Sequence, residues 1–252
     1  MIKETRLIMG MPVTVQVCDV ATDKETLKSV FDYFTYIDET FSTYKETSEI
    51  TKINKGDLKK ADWSEDMKTI ILLCDETRQT TDGYFDIRNN QGKFDPSGIV
   101  KGWAIFNTAK ILEKAGYKNF YVEAGGDIQT HGTNNEDKPW SVGIKNPFKP
   151  NEIVKVVLLK NNEGIATSGA YERGAHIYNP KNRQQELTDI VSVTVIGPNI
   201  YEADRFATAA FAMQKNGINF IEKKSGLEGY FINKNGIATQ TTGFSNYASI
   251  DR

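Results

Sequence analysis

Asn119-Phe-Tyr-Val-Glu-Ala-Gly-Gly-Asp-Ile128 decides how this chain folds. An aromatic and β-branched run ends on two glycines, and an apolar position returns at Ile128. Two glycines after a strand suit a β-turn feeding a hairpin; they also let a ligand approach the backbone. The turn is the plainer reading. Similar runs lie on both sides. Val13, Val15 and Val17 alternate with polar residues, as in a half-buried strand. Trp140–Ile144, Ile153–Leu159, Ile190–Ile196 and Glu228–Ile232 continue the series. Turns between strands are short, and the helices come as long separate pieces. The expectation is an α+β fold: a single domain over residues 1–252, with largely antiparallel or mixed sheets and packed helices, rather than a doubly wound parallel sheet.

Four helices are expected. Thr22-Asp-Lys-Glu25 reads as a capping box, and Leu27, Val30, Phe31, Phe34, Ile37 and Phe41 follow at helical spacing. A second helix runs from near Asp62 to near Thr80, with Met67, Ile70, Ile71 and Cys74 on one face. A third follows Gly102 and stops at Gly116, a favoured terminator. A fourth spans Glu202 to Asn216 and ends at Gly217.

Composition excludes several classes of function. The 252 residues carry 31 Lys+Arg against 33 Asp+Glu, so no basic excess exists to neutralise nucleic-acid phosphates. Cys18 and Cys74 are too few for a disulfide framework or a four-cysteine zinc site. With two histidines, His131 and His176, a bound metal must rely on oxygen ligands. His131, just before Gly132, reads as a surface turn residue. No stretch approaches the roughly 20 apolar residues that span a bilayer, and the N-terminus is charged where a signal peptide is apolar. As written the chain is expected in the cytoplasm; an exported or lipid-anchored mature form without its signal would look the same.

Four stretches can carry chemistry. Phe94-Asp-Pro-Ser-Gly-Ile-Val-Lys-Gly-Trp103 leads a glycine-bearing loop into a helix, whose free N–H groups and positive end suit phosphate, with Lys101 adding a charge. It has neither the Walker A nor the Gly-x-Gly-x-x-Gly order, so a plain turn with an exposed lysine competes. The Gly125-Gly126 turn is the second. In Ala203-Asp-Arg-Phe-Ala-Thr208, Asp204 and Thr208 lie four apart and face one way on a helix. A carboxylate plus a hydroxyl suits Mg²⁺; a solvated face or local hydrogen bond is the alternative. Finally, Gly164-Ile-Ala-Thr-Ser-Gly leads to Arg173 and His176-Ile-Tyr-Asn-Pro180. A histidine can move a proton near neutral pH, or be merely structural.

Taken in order, Met9-Gly-Met, Phe41-Ser-Thr-Tyr44, Ser48-Glu-Ile-Thr-Lys-Ile-Asn54, Gly83-Tyr-Phe-Asp86, Asp95-Pro-Ser-Gly-Ile-Val-Lys-Gly102, Gly125-Gly-Asp, Ala166-Thr-Ser-Gly, His176-Ile-Tyr-Asn-Pro and Ala203-Asp-x-x-x-Thr208 resemble the ApbE family, the FAD:protein FMN transferases, over about residues 5 to 245. The resemblance implies FAD as substrate with Mg²⁺, and transfer of the FMN half to a threonine or serine of an acceptor flavoprotein with release of AMP. It implies that Met9, Tyr44, Tyr84, Phe85, Asp86, Asp95 and Lys101 line the FAD site. Gly125, Gly126, Thr167 and Ser168 would belong to the same site. Asp204 and Thr208 would be side-chain ligands of Mg²⁺, and Gly98 the main-chain ligand. His176, with Ile177, would sit beside the reacting phosphate, and His176 is the candidate general base.

Several positions depart from the family pattern. Met11 stands where the family has threonine, and Asn179 where it has aspartate. Asp86 and Asp95 lie close together, whereas many members carry a helical insertion there. Two other readings share these residues: an FAD pyrophosphatase using water, and a non-catalytic FAD-binding protein. The threonine-rich stretch Ala238–Gly243 reads as a terminal strand rather than a self-modification site.

Overall fold

Why the apolar runs pair as they do is clearest in the strands β1 (Ile2–Ile8), β2 (Met11–Val17), β3 (Phe120–Ala124) and β4 (Asp127–His131) of the computed structural model, which describes residues 1–19, 23–160, 162–169, 178–183 and 186–248. Val13, Val15 and Val17 lie opposite Ala124, Val122 and Phe120. All six are buried, so one register buries one face of both strands. The Gly125-Gly126 pair makes the β3–β4 turn, with both glycines at positive φ (57° and 91°). With β7 (Gly164–Gly169), β8 (Ile190–Gly197), β9 (Glu228–Asn233) and β10 (Ala238–Gln240), these strands form a sheet ordered β1-β2-β3-β4-β7-β8-β9-β10. Every pairing among the described residues is antiparallel. The α+β architecture expected from the sequence is present, and Ala238–Gln240 is the terminal strand.

One face of the sheet carries the helices α1 (Lys24–Phe41), α2 (Glu49–Lys55), α3 (Glu65–Thr80), α4 (Ser97–Lys114), α5 (Ile200–Ala212) and α6 (Gly217–Glu222). On α1, Leu27, Val30, Phe31, Phe34, Ile37 and Phe41 are buried, as their spacing predicts. Its N-cap is Asp23, whose carboxylate accepts the N–H groups of Glu25 and Thr26; Thr22 of the expected capping box lies outside the described residues. On α3, Ser64 is the cap, and Asp62 ends a separate 3₁₀ turn, Lys60–Asp62. The other face is covered by a ribbon of β5 (Trp140–Asn146) and β6 (Lys149–Leu159). Trp140, Ile144, Val157, Leu159 and Phe244 bury against Ile165 and Ile196 there.

Three expectations need correction. The third helix begins at Ser97, not after Gly102. Interior glycines disfavour a helix by roughly 1 kcal/mol each, and reading them as loop misplaced the start. They are tolerated because α5 lies against them. The fourth helix ends at Ala212, since Gln214 takes φ +53° and its side-chain oxygen accepts the Asp189 and Ile190 N–H groups. Gly217 opens α6 instead of closing α5; a Cβ there would sit 2.2 Å from the Ala210 carbonyl oxygen. His131 is no turn residue. It ends β4, stacks on Phe120 at 4.9 Å, and its Nδ1 lies 2.7 Å from the Lys118 carbonyl. No helix among the described residues is long and apolar enough to cross a membrane.

Candidate active site

Asp204 is the residue around which the cleft is organised. It lies on α5 and is 4% exposed. A buried carboxylate demands donors, and one comes from a neighbouring helix: the Gly102 N–H donates to Asp204 Oδ2 at 2.8 Å. Regular helix geometry aims that N–H at the Gly98 carbonyl, so the carbonyl does not hold its donor alone. The contact requires glycine. A Cβ at Gly102 would lie 2.6 Å from the Asp204 Cβ and 2.9 Å from the Ile200 carbonyl oxygen. One turn earlier, a Cβ at Gly98 would lie 3.0 Å from Thr208 Cγ2. Gly98 and Gly102 thus form the seam along which α4 meets α5.

Thr208 stands one turn after Asp204 and faces the same cleft. Its hydroxyl is 3.5 Å from that of Ser168, near the end of β7. Lys101 enters from α4 and places its Nζ 2.6 Å from Asp127 Oδ2. The opposite wall comes from the loop that carries Tyr84, Phe85, Asp86 and Asp95. Asp95 Oδ1 accepts the Ser97 N–H at 3.1 Å and so starts α4; Asp86 Oδ1 accepts the Arg88 N–H at 2.8 Å. Asn54 clamps the backbone of Phe94 through both amide atoms, each at 2.8 Å. Tyr178 closes the rim: its hydroxyl donates to the Arg88 carbonyl, and burial pushes its pKa up to about 12, so it stays a neutral donor. Arg183 binds the Asn89 carbonyl at 2.8 Å. The cleft is open to solvent, and its empty space, the open mouth included, is about 860 Å³.

Ten of the sequence candidates meet in this cleft: Tyr84, Phe85, Asp86, Asp95, Gly98, Lys101, Thr167, Ser168, Asp204 and Thr208. Four do not line it. Tyr44 is 96% exposed. It sits just after α1, where nothing among the described residues covers it. Met9, at φ +56° in the β1–β2 turn, packs against the helix-side core. Gly125 donates its N–H to the Pro12 carbonyl, and the Gly126 N–H goes to Glu123, so this turn is satisfied within the sheet end. His176 and Ile177 lie outside the described residues. Sequence reading missed Ser97, Gly169, Tyr178 and Pro180 in the lining, and the roles of Gly102 and Asp127. For Asp127 a signal existed, an acid at the start of an apolar strand.

No group of three or more His, Cys, Asp or Glu residues suited to a metal occurs among the described residues. On the α4–α5 side of the cleft the donors are the Asp204 carboxylate, the Thr208 hydroxyl with that of Ser168 3.5 Å away, and a helix carbonyl at Gly98; the Asp86 and Asp95 carboxylates stand on the opposite wall. That is a poor cage for a metal held by protein alone. It suits a hard cation that keeps waters and shares its remaining positions with a ligand's phosphates.

An antiparallel α+β scaffold with oxygen donors, a lysine and a helix N-terminus in one cleft defines a protein suited to phosphate-bearing ligands. The chain belongs to the ApbE family, whose sequence model matches residues 9–91 and 88–231. It is 31% identical over 155 residues to the FAD:protein FMN transferase of Escherichia coli (strain K12), covering 58% of this chain and 44% of that protein. It is 33% identical over 159 residues to the FAD:protein FMN transferase of Haemophilus influenzae Rd, covering 59% and 46%. The matched part thus spans under half the length of these relatives. Among solved structures, flavin transferase ApbE from Vibrio cholerae superposes with a TM-score of 0.83 at 20% identity, covering 98% of both chains. The ApbE protein of Thermotoga maritima MSB8 gives 0.85 at 21%, covering 98% of this chain and 99% of that one.

Proposed function

We propose that this chain transfers the FMN half of FAD to a threonine or serine hydroxyl of an acceptor flavoprotein, releasing AMP, with Mg²⁺ held by Asp204, Thr208 and the Gly98 carbonyl. One observation carries the reading: Asp204 and Thr208, one turn apart on α5, face the cleft that Lys101 and Ser168 also line. The names of the relatives agree with it. Bound Mg²⁺ would supply charge neutralisation at the phosphates.

The remaining roles fall to the chain's own residues. Lys101 brings a second positive charge to the pyrophosphate. The positive end of α4 adds to it. Tyr84 and Phe85 offer an aromatic wall for a flat ring. The acceptor oxygen bonds to the phosphorus of the FMN half as the bond to the AMP oxygen breaks. Its proton passes to a base, for which His176, with Ile177 beside it, is our candidate.

Incubation with FAD, Mg²⁺ and an acceptor flavoprotein tests this by intact mass. The expected result is an FMN-sized adduct on the acceptor that EDTA abolishes. If FAD binds and no adduct forms, the transferase reading fails. FMN and AMP released without any acceptor would replace it with the hydrolase.

A further inference from the structure

Asp127 opens β4 directly after the Gly125-Gly126 turn and is 1% exposed. It does not line the cleft, yet it holds two groups that do. Its Oδ2 lies 2.6 Å from Lys101 Nζ on α4, and its Oδ1 accepts the Thr167 N–H on β7 at 3.0 Å. One carboxylate behind the wall therefore ties the helix side of the cleft to the strand side. The strand side is itself braced, since the Thr167 and Thr194 hydroxyls are 2.9 Å apart.

We infer that Asp127 is a positioning residue: it selects one setting of the Lys101 ammonium and fixes its distance from the Thr167–Ser168 strand, so that the charge meets a phosphate without rearrangement. A lysine head on a four-carbon stem has many rotamers, and a compact point charge gains most when it is already in place. A carboxylate sealed from solvent acts on a ligand through the lysine that it holds. The inference rests on the phosphate-binding role proposed for Lys101. Lys101 faces phosphates that are charged before and during reaction, so its aim governs binding more than turnover.

The test compares Asp127→Asn, Lys101→Met and the double variant. Asparagine keeps the shape and can still accept the Thr167 N–H. FAD affinity is read by fluorescence titration and turnover by steady-state kinetics. Asp127→Asn is expected to weaken FAD about tenfold and to raise KM with kcat within about twofold. In the Lys101→Met background the same change is expected to add less than about twofold, because its target is gone. Equal weakening in both backgrounds, or a fall in kcat at constant KM, would overturn the inference in favour of simple support of β7. Should Asp127→Asn alone fold poorly, the double variant, which removes both charges of the pair, must still match Lys101→Met within about twofold, or the inference fails. A wild-type chain that binds no FAD would sink the transferase reading and this role with it. Normal FAD binding with additive variants would sink only this role.

Discussion

The two faces of the main sheet are built by opposite rules. On the helix face, α4 and α5 meet so closely at Gly102 that the seam excludes even a methyl group: the nearest atoms are the root of Asp204 and the Ile200 carbonyl oxygen, while at Gly98 they are side-chain atoms of Thr208 and Phe85, 3.0 and 3.1 Å away. On the other face, β5 and β6 also meet at a glycine, Gly143, where a Cβ would come within 2.9 Å of Ile153 Cδ1. Ile153 is half exposed, and its end can swing into water. The ribbon also shifts register near Lys145 and leaves Phe148 in solvent. Identical residue types therefore mean different things. A glycine against backbone and a buried carboxylate fixes a site, whereas a glycine against a flexible side chain merely fills a strand.

Substitutions can break this contrast. Gly102→Ala is expected to have the largest effect, about 3 kcal/mol in thermal or denaturant unfolding, with loss of FAD turnover; a mild effect would show that the seam can open. Asp204→Ala comes next. It removes the acceptor of the Gly102 N–H and the proposed cation ligand, and should lower turnover roughly 100-fold or more. FAD turnover that survives would refute the metal role. Gly143→Ala on the ribbon should cost under ~1 kcal/mol and leave turnover unchanged. An effect as large as that of Gly102→Ala would erase the distinction between the faces. Tyr44→Ala should be the smallest, with FAD affinity within about twofold of wild type, since its ring stands in water. A large loss there would place Tyr44 in the flavin site despite its exposure.

The sequence alone determined the α+β class, with largely antiparallel or mixed sheets and packed helices. Period-two runs such as Val13–Val17, and the helical stripe from Leu27 to Phe41, record which face each element buries, and that information is local. It also brought the motif series into view. Only the tertiary structure decided that α4 starts at Ser97, that Tyr44 lies in solvent and that Lys101 meets Asp127. The physical reason is separation along the chain. Glycine is tolerated inside α4 because α5 arrives from a hundred residues away, leaving no room for a Cβ at Gly102 and only a tight fit at Gly98. Periodicity carries no record of such an encounter, which is settled by packing and by the need of a buried charge for a partner.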